Sequence, residues 1–362
     1  MTIKEQLKIL HIAVVNAGFP SDFCEMHRRN GDLTRLVTFY KNTFGFPEDI
    51  CMDWLVPQGS LVSLWRKKKE RTISTDKDRK AHYFRPHNYA EKLYFAINDK
   101  LREPQVNKTI KEHDLDQFEI IHYDFGLDFY RNSSQAKKWK NAGKKIVCCY
   151  YGSDLRIRGI IKEMEELSDL NITAEYDHLA LKSDLEFMFY PYDTSELPEK
   201  IENDSGRVRI VHSPTNRKFK GTDLIIRVIN RLKEKKNFDF YLLENVPRQQ
   251  VLEIKRGCDI GIECVCGEMG GYGYGKSGLE MMGMGIPVVT SMPDEYRNWL
   301  PENPFVVANS EDELYDQLLS LIDNHEYRQE LGAKSKYWVD KYHGFSNVNK
   351  RLYELYEKYG VI

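Results

Sequence analysis

A glycine-rich stretch between two short apolar runs constrains the fold of this chain most. Gly270 to Gly285 reads GGYGYGKSGLEMMGMG, between the runs Ile260 to Val265 and Ile286 to Thr290. The spacing predicts strand, loop, helix and strand. Glycines let backbone approach a ligand closely, since no Cβ intervenes. A helix starting near Lys276 turns free N–H groups and a positive dipole end toward the loop, which suits phosphates. Glu280, one turn further in, is placed to accept hydrogen bonds from sugar hydroxyls. Three readings stay open here: a nucleotide-sugar site, a surface loop with helix-start chemistry, and an NTPase phosphate loop, since Gly270 to Ser277 also matches G-x-x-x-x-G-K-S.

The same alternation runs along the whole chain. Leu7 to Val15, Phe118 to His122, Lys145 to Tyr151 and Leu185 to Tyr190 read as buried strands. Asp32 to Phe44 has helical spacing at Leu33, Leu36, Val37 and Tyr40, and residues 127 to 142 read as helix. After a polar linker at 192 to 206, the strands Val208 to Val211, Phe238 to Leu243, Ile260 to Val265, Ile286 to Thr290 and Phe305 to Ala308 alternate with helices. Those helices are Thr222 to Lys233, Arg248 to Arg256, Glu311 to Ile322, Tyr327 to Tyr342 and Phe345 to Tyr359. Short apolar runs alternating with helices predict parallel, doubly wound sheets. The expected domains are 1–193, with 344–362 packing back on it, and 194–343. Residues 58 to 115 carry no clear pattern.

At 362 residues the chain is long enough for two domains, and a net charge of −2 argues against nucleic-acid binding. The seven cysteines form no C-x-x-C pair, and most lie in apolar runs, as reduced thiols do in the cytoplasm. Ile9 to Val15 reads as a strand, not a signal peptide, and no apolar run reaches membrane-spanning length. The basic run Arg66 to Arg71 reads as a solvated loop, with contact to an anionic lipid or acceptor at the inner face of a membrane as the alternative. Asp114-Leu115-Asp116 matches D-x-D but precedes a strand, so no metal site is expected.

In open α/β sheets, ligands bind outside the carboxyl ends of the strands. Polar and glycine clusters fall there: Asn16/Gly18, His122/Asp124, Ser153/Asp154, His212 to Gly221 and Glu244/Asn245. In the loop Ser213 to Gly221, Arg217, Lys218 and Lys220 stand beside a helix start, where cations suit a diphosphate leaving group. Asp154 reads as a helix N-cap or a polar wall of the site.

The run HSPTNRKFKGT (212–222), the glycine/tyrosine loop and GLEMMGMGIPVV (278–289) resemble the family 4 glycosyltransferases of the GT-B fold. IIHYDFG (120–126) and KKIVCCYYGSDLR (144–156) resemble the N-terminal domain of that group. The resemblance implies two Rossmann-like domains facing across a cleft, with a nucleotide diphosphate sugar as donor and a glycan, glycoconjugate or lipid-linked acceptor. Transfer would be retaining, metal-independent and without a cofactor. Lys220 and Arg217 would contact the diphosphate. Glu280 would bind the ribose. Gly18, Ser213, Asn216, Glu244 and the loop Gly271, Tyr272, Gly273, Tyr274, Gly275, Lys276 and Ser277 would line the donor. Asp124 would stand where a histidine of that family faces the sugar, as a base or hydroxyl-orienting group or else as a loop-capping aspartate, with Asn16, His122, Ser153 and Asp154 on the acceptor side. The chain departs from the pattern at Tyr272, where a glutamate is expected, at Asp124 for a histidine, and at Pro214 for an arginine. A sugar-nucleotide-binding protein without transfer is the remaining alternative.

Overall fold

The computed structural model describes residues 6–43, 45–55, 80–86, 88–202, 206–267 and 272–362. The basic run 66–71 and glycines 270 and 271 lie outside these residues. The chain divides into two compact units, Met1–Pro191 with Val348–Ile362, and Tyr192–Asn347.

Among the described residues, the first unit holds seven parallel strands. They are β1 (Lys8–Val15), β2 (Leu33–Tyr40), β3 (Ile50–Cys51), β4 (Ile120–Asp124), β5 (Lys145–Tyr150), β6 (Leu170–Thr173) and β7 (Glu186–Phe187), in spatial order β3-β2-β1-β4-β5-β6-β7. Every residue of β4 is buried, and β1 is buried along most of its length, because helices cover both faces of a doubly wound sheet. Order reverses between β1 and β4, whose residues His11 and His122 pair side by side.

The second unit holds β8 (Val208–His212), β9 (Phe238–Leu242), β10 (Ile260–Ile262), β11 (Val288–Thr290) and β12 (Val306–Val307), also parallel, in order β12-β11-β10-β8-β9. Its reversal lies between β8 and β10. Helix Thr222–Lys233 lays Ile225, Val228, Ile229 and Leu232 onto this sheet. At period 3.6 these four residues fall on one stripe, so burying them fixes the helix on the sheet.

The segment expected as helix at 32–44 is the strand β2, and the helix is Phe19–Arg29. Leu33, Leu36, Val37 and Tyr40 fit helical spacing, but a strand inside a parallel sheet buries both faces and obeys no period. Thr34, Val37, Thr38 and Phe39 favour that state, and pairing with β1 and β3 decides it. Pro20 sits in the first turn of helix Phe19–Arg29, where its missing N–H costs nothing. Of 127–142 only Ser134–Asn141 is helical; the Asp128 carboxylate accepts from Gln135 N and Ala136 N at its start. Leu185 to Tyr190 contributes only the two-residue β7, and β6 and helix Tyr89–Glu112 had no clear signal. Among the described residues, no helix is long and apolar enough to cross a membrane.

Candidate functional site

The second unit gathers its charge where its strand order reverses. β8 runs into Ser213, then into the short helix Arg217–Lys220; β10 runs into Glu263. The two loops touch, since Val265 N donates to Lys220 O at 3.2 Å. Gly221 permits this approach. Its φ is +66°, and a Cβ there would stand 1.7 Å from Val265 O. The Lys220 ammonium therefore lies on the Glu263 carboxylate, with 22% of the lysine side chain exposed and 1% of the glutamate's. Burial pushes the Glu263 carboxyl up, but Lys220 outweighs it and holds the group below its ordinary range.

Glu263 Oε1 also accepts from Gly275 N at 3.1 Å, at the start of helix Lys276–Gly283. On that helix Ser277 Oγ lies 2.9 Å from Ser213 Oγ and accepts from Lys255 Nζ at 2.9 Å. Lys255, fully buried, donates to Glu280 Oε2 at 2.7 Å, and Arg248 Nε reaches Glu280 Oε1 at 3.1 Å. Two polar groups thus meet at helix Lys276–Gly283: Lys220, Glu263 and Gly275 in one, and Ser213, Ser277, Lys255, Glu280 and Arg248 in the other.

Several expected donor groups do other work. The Gly275 amide meets a carboxylate, and the Gly273 amide donates to Ser291 O at 2.8 Å, so the expected amide cradle for phosphates is not built from these two. Asn216 caps its own helix through Lys218 N and Phe219 N. Arg217 is an exposed surface cation shared by Asp223 and Glu244, each at 2.7 Å, which also occupies Glu244. Tyr274 turns into an aromatic cluster, stacked on Phe305 with its hydroxyl 3.1 Å from His343 Nε2. Tyr272 is exposed, and Lys276 Nζ lies 5.6 Å from the Tyr192 ring centre. Gly271 lies outside the described residues. A cavity of about 620 Å³ beside Phe305, Tyr337 and Trp338 includes none of the linked residues.

His212, beneath the site, is structural. Its Nδ1 lies 2.9 Å from Ile262 O and its Nε2 2.9 Å from Thr222 Oγ1. Burial lowers its pKa from 6.5 to about 4. The unfolded chain therefore takes up this proton first as pH falls, and the neutral ring's contribution is complete above pH 6.5 and lost toward pH 4. Between pH 7 and pH 4, the stability advantage of wild type over His212→Gln is expected to shrink by about 2–3 kcal/mol. Urea unfolding at several pH values checks this, and parallel curves for the two proteins would refute it.

In the first unit, Asn16 and Gly18 make a tight turn. Asn16 Oδ1 accepts from Gly18 N at 2.9 Å, and Asn16 Nδ2 donates to Pro47 O at 2.7 Å. Asp154 is the first residue of its turn and not the N-cap, which is the exposed Ser153; its buried carboxylate ties the preceding loop, accepting from Tyr151 N and Gly152 N as well as Leu155 N. Asp124, expected as a base or hydroxyl-orienting group, is fully buried with both oxygens engaged: Tyr151 OH donates to Oδ1 at 2.6 Å, and His11 Nδ1 lies 3.1 Å from Oδ2. Burial pushes its carboxyl up to about 7, against the pull of the Tyr151 hydrogen bond. A base needs an oxygen turned to substrate, and the bonds to Tyr151 and His11 hold both of these inward. His122 is equally buried, with Tyr356 OH on Nε2.

Glu263, Lys255 and Arg248 escaped the sequence reading. An acid inside the apolar run 260–265 was the available signal for Glu263, since a buried carboxylate demands a cation. Lys255 and Arg248 look like surface helix residues, and only the fold turns them toward Glu280.

No family model matches the sequence, and no curated protein matches it. Solved structures do resemble it. HepE of Anabaena, crystallised with UDP, superposes with a TM-score of 0.56 at 11% identity, over 97% of this chain and 100% of its own. The chain has the GT-B fold. The TarM crystal structure gives 0.59 at 11% identity over 97% and 99% of the two chains. The catalytic domain of starch synthase IV from Arabidopsis thaliana, bound to ADP and acarbose, gives 0.58 at 12% over 98% and 99%.

Proposed function

We propose that the protein is a glycosyltransferase that binds a nucleotide diphosphate sugar on its second unit and passes the sugar to a hydroxyl of a glycan or glycoconjugate acceptor held by the first. The observation that carries this is Lys220, partly exposed where the order of the second sheet reverses, and oriented by the buried Glu263. Ligands of open α/β sheets bind at such reversals. The neighbours HepE, with UDP, and starch synthase IV, with ADP, support a nucleoside diphosphate as part of the donor.

In this reading Lys220 meets the diphosphate and stabilises the charge that grows as the glycosidic bond breaks. Glu263 holds the ammonium in place beforehand, which spares reorganisation during the reaction. Glu280, fixed by Lys255 and Arg248, faces the nucleotide ribose. Retention of anomeric configuration and independence of a metal or other cofactor belong to the same proposal.

The contact between Gly275 and Glu263 favours this reading over a phosphate-loop NTPase. Gly275 donates into the Glu263 carboxylate, so this amide is not turned to a phosphate as the G-x-x-x-x-G-K-S loop requires. The test is incubation with UDP-, GDP- and ADP-sugars and a glycan panel, following released nucleoside diphosphate. Sugar transfer with release from one donor class supports the proposal. Nucleoside-triphosphate hydrolysis without any release from sugar donors refutes it, as does donor binding without transfer to any acceptor.

A further inference from the structure

Three histidines meet inside the first unit, in a cluster to which the function proposed above gives no role. His11 on β1 and His122 on β4 are paired residues of adjacent parallel strands, and His27 comes from helix Phe19–Arg29 packed above. All three are fully buried, and one nitrogen from each lies within 4.8 Å of the others.

Two of the rings are backed by carboxylates. His11 Nδ1 lies 3.1 Å from Asp124 Oδ2, and His27 Nδ1 lies 3.6 Å from Asp32 Oδ2. Asp32 is itself held by Asn30 Nδ2 at 2.8 Å and by the Tyr353 hydroxyl. His11 Nε2 is buried with no hydrogen-bond partner among the described residues. A buried polar atom without a partner loses its hydration and gains nothing in return. Cys149 Sγ stands 3.5 Å from His122 Nδ1.

We propose that His11, His27 and His122 bind a divalent transition-metal ion, zinc foremost, that ties β1, β4 and helix Phe19–Arg29 together. Imidazole suits zinc, and a carboxylate behind a ligating ring fixes its tautomer and orientation. The Asp124 contact does this for His11, assigning the proton to Nδ1 and leaving the Nε2 lone pair for the ion. Two carboxylates contacting the ligands balance a divalent charge. Zinc–nitrogen bonds of about 2.1 Å set ligand nitrogens roughly 3.4 Å apart, so the rings close inward by less than about 1 Å each. The ion is structural and takes no part in sugar transfer, so the proposal does not depend on the function proposed above.

The test unfolds untagged full-length protein in denaturant and refolds it with zinc alone or with a chelator, which removes any barrier to access. Bound metal is then counted after gel filtration. The expected result is about one zinc per chain and a melting temperature several degrees above that of the chelator-refolded protein. Refolding with cobalt is expected to give visible ligand-field absorption. His27→Gln is expected to fold and to lose most of the metal. Should that variant fail to fold, the paired wild-type measurement decides. Less than about a tenth of a zinc per chain, with equal melting temperatures in zinc and chelator, overturns the proposal and leaves a packed imidazole cluster. Stoichiometric zinc retained by His27→Gln would place the ion elsewhere and overturn it too.

Discussion

Lys220→Met is expected to lower nucleoside-diphosphate release about a hundredfold or more, the scale seen when one preorganised donor to a developing anion is removed. The same change is expected to destabilise the second unit. Glu263 is 1% exposed, and without Lys220 its charge keeps the Gly275 amide and the attraction of the Lys255 ammonium. Removing one partner of a buried pair costs about 3–5 kcal/mol, and the remaining amide favours the lower end. Lost turnover could therefore be mistaken for a folding defect, and a second substitution separates the two. In Lys220→Met with Glu263→Gln, the unpaired charge is gone, and most of the stability is expected to return. Turnover is not. Recovery of both would make Lys220 a structural cation and remove the role given to it.

The second large effect concerns Lys255. Its ammonium is buried and holds Glu280 Oε2 at 2.7 Å and Ser277 Oγ at 2.9 Å. Lys255→Met leaves Glu280, 5% exposed, with the partly exposed Arg248 as its remaining ion-pair partner. A loss of roughly 3 kcal/mol is expected, visible as a melting temperature lower by several degrees. Glu280→Gln keeps the shape but leaves the fully buried Lys255 ammonium without this ion-pair partner, so a comparable loss is expected and binding is compared on protein confirmed to be folded. Because the proposal sets Glu280 against the ribose, Glu280→Gln should weaken binding of a nucleoside diphosphate about tenfold, the scale of one hydrogen bond to a charged group. Binding of inorganic pyrophosphate, which lacks the ribose, should stay within about twofold on the same reasoning. Equal weakening of both ligands would mean that Glu280 acts on the phosphate site, and the ribose assignment would fall.

The second unit was the more legible in sequence. Its strands are short apolar runs closed by polar residues, and its helices carry one apolar stripe each, so period and punctuation agreed. Helix Thr222–Lys233 and strand Phe238–Leu242 fall within a residue of expectation. In the first unit the same reasoning misplaced 32–44. A strand buried on both faces has no alternation to distinguish it, and Leu33, Leu36, Val37 and Tyr40 imitated a helix. Site residues divide in the same physical way. Lys220, Ser213, Ser277 and Glu280 were visible because strand ends and a helix start announce them. Glu263 and Lys255 were not, because a buried ion pair is made by two distant segments and neither half is unusual alone. The histidine cluster was invisible for the same reason, since residues 11 and 122 become neighbours through parallel pairing of β1 with β4 and residue 27 joins them through the packing of helix Phe19–Arg29.

The central claim is that the second unit binds a nucleoside diphosphate through Lys220. Calorimetric titration of the full chain with UDP, GDP and ADP tests it most directly, beside Lys220→Met/Glu263→Gln as the stable comparison. One of the three is predicted to bind once per chain and to bind at least about tenfold more weakly to the double variant, the scale of one charge-assisted contact. No binding of any of them, or equal affinity for both proteins, would contradict the account.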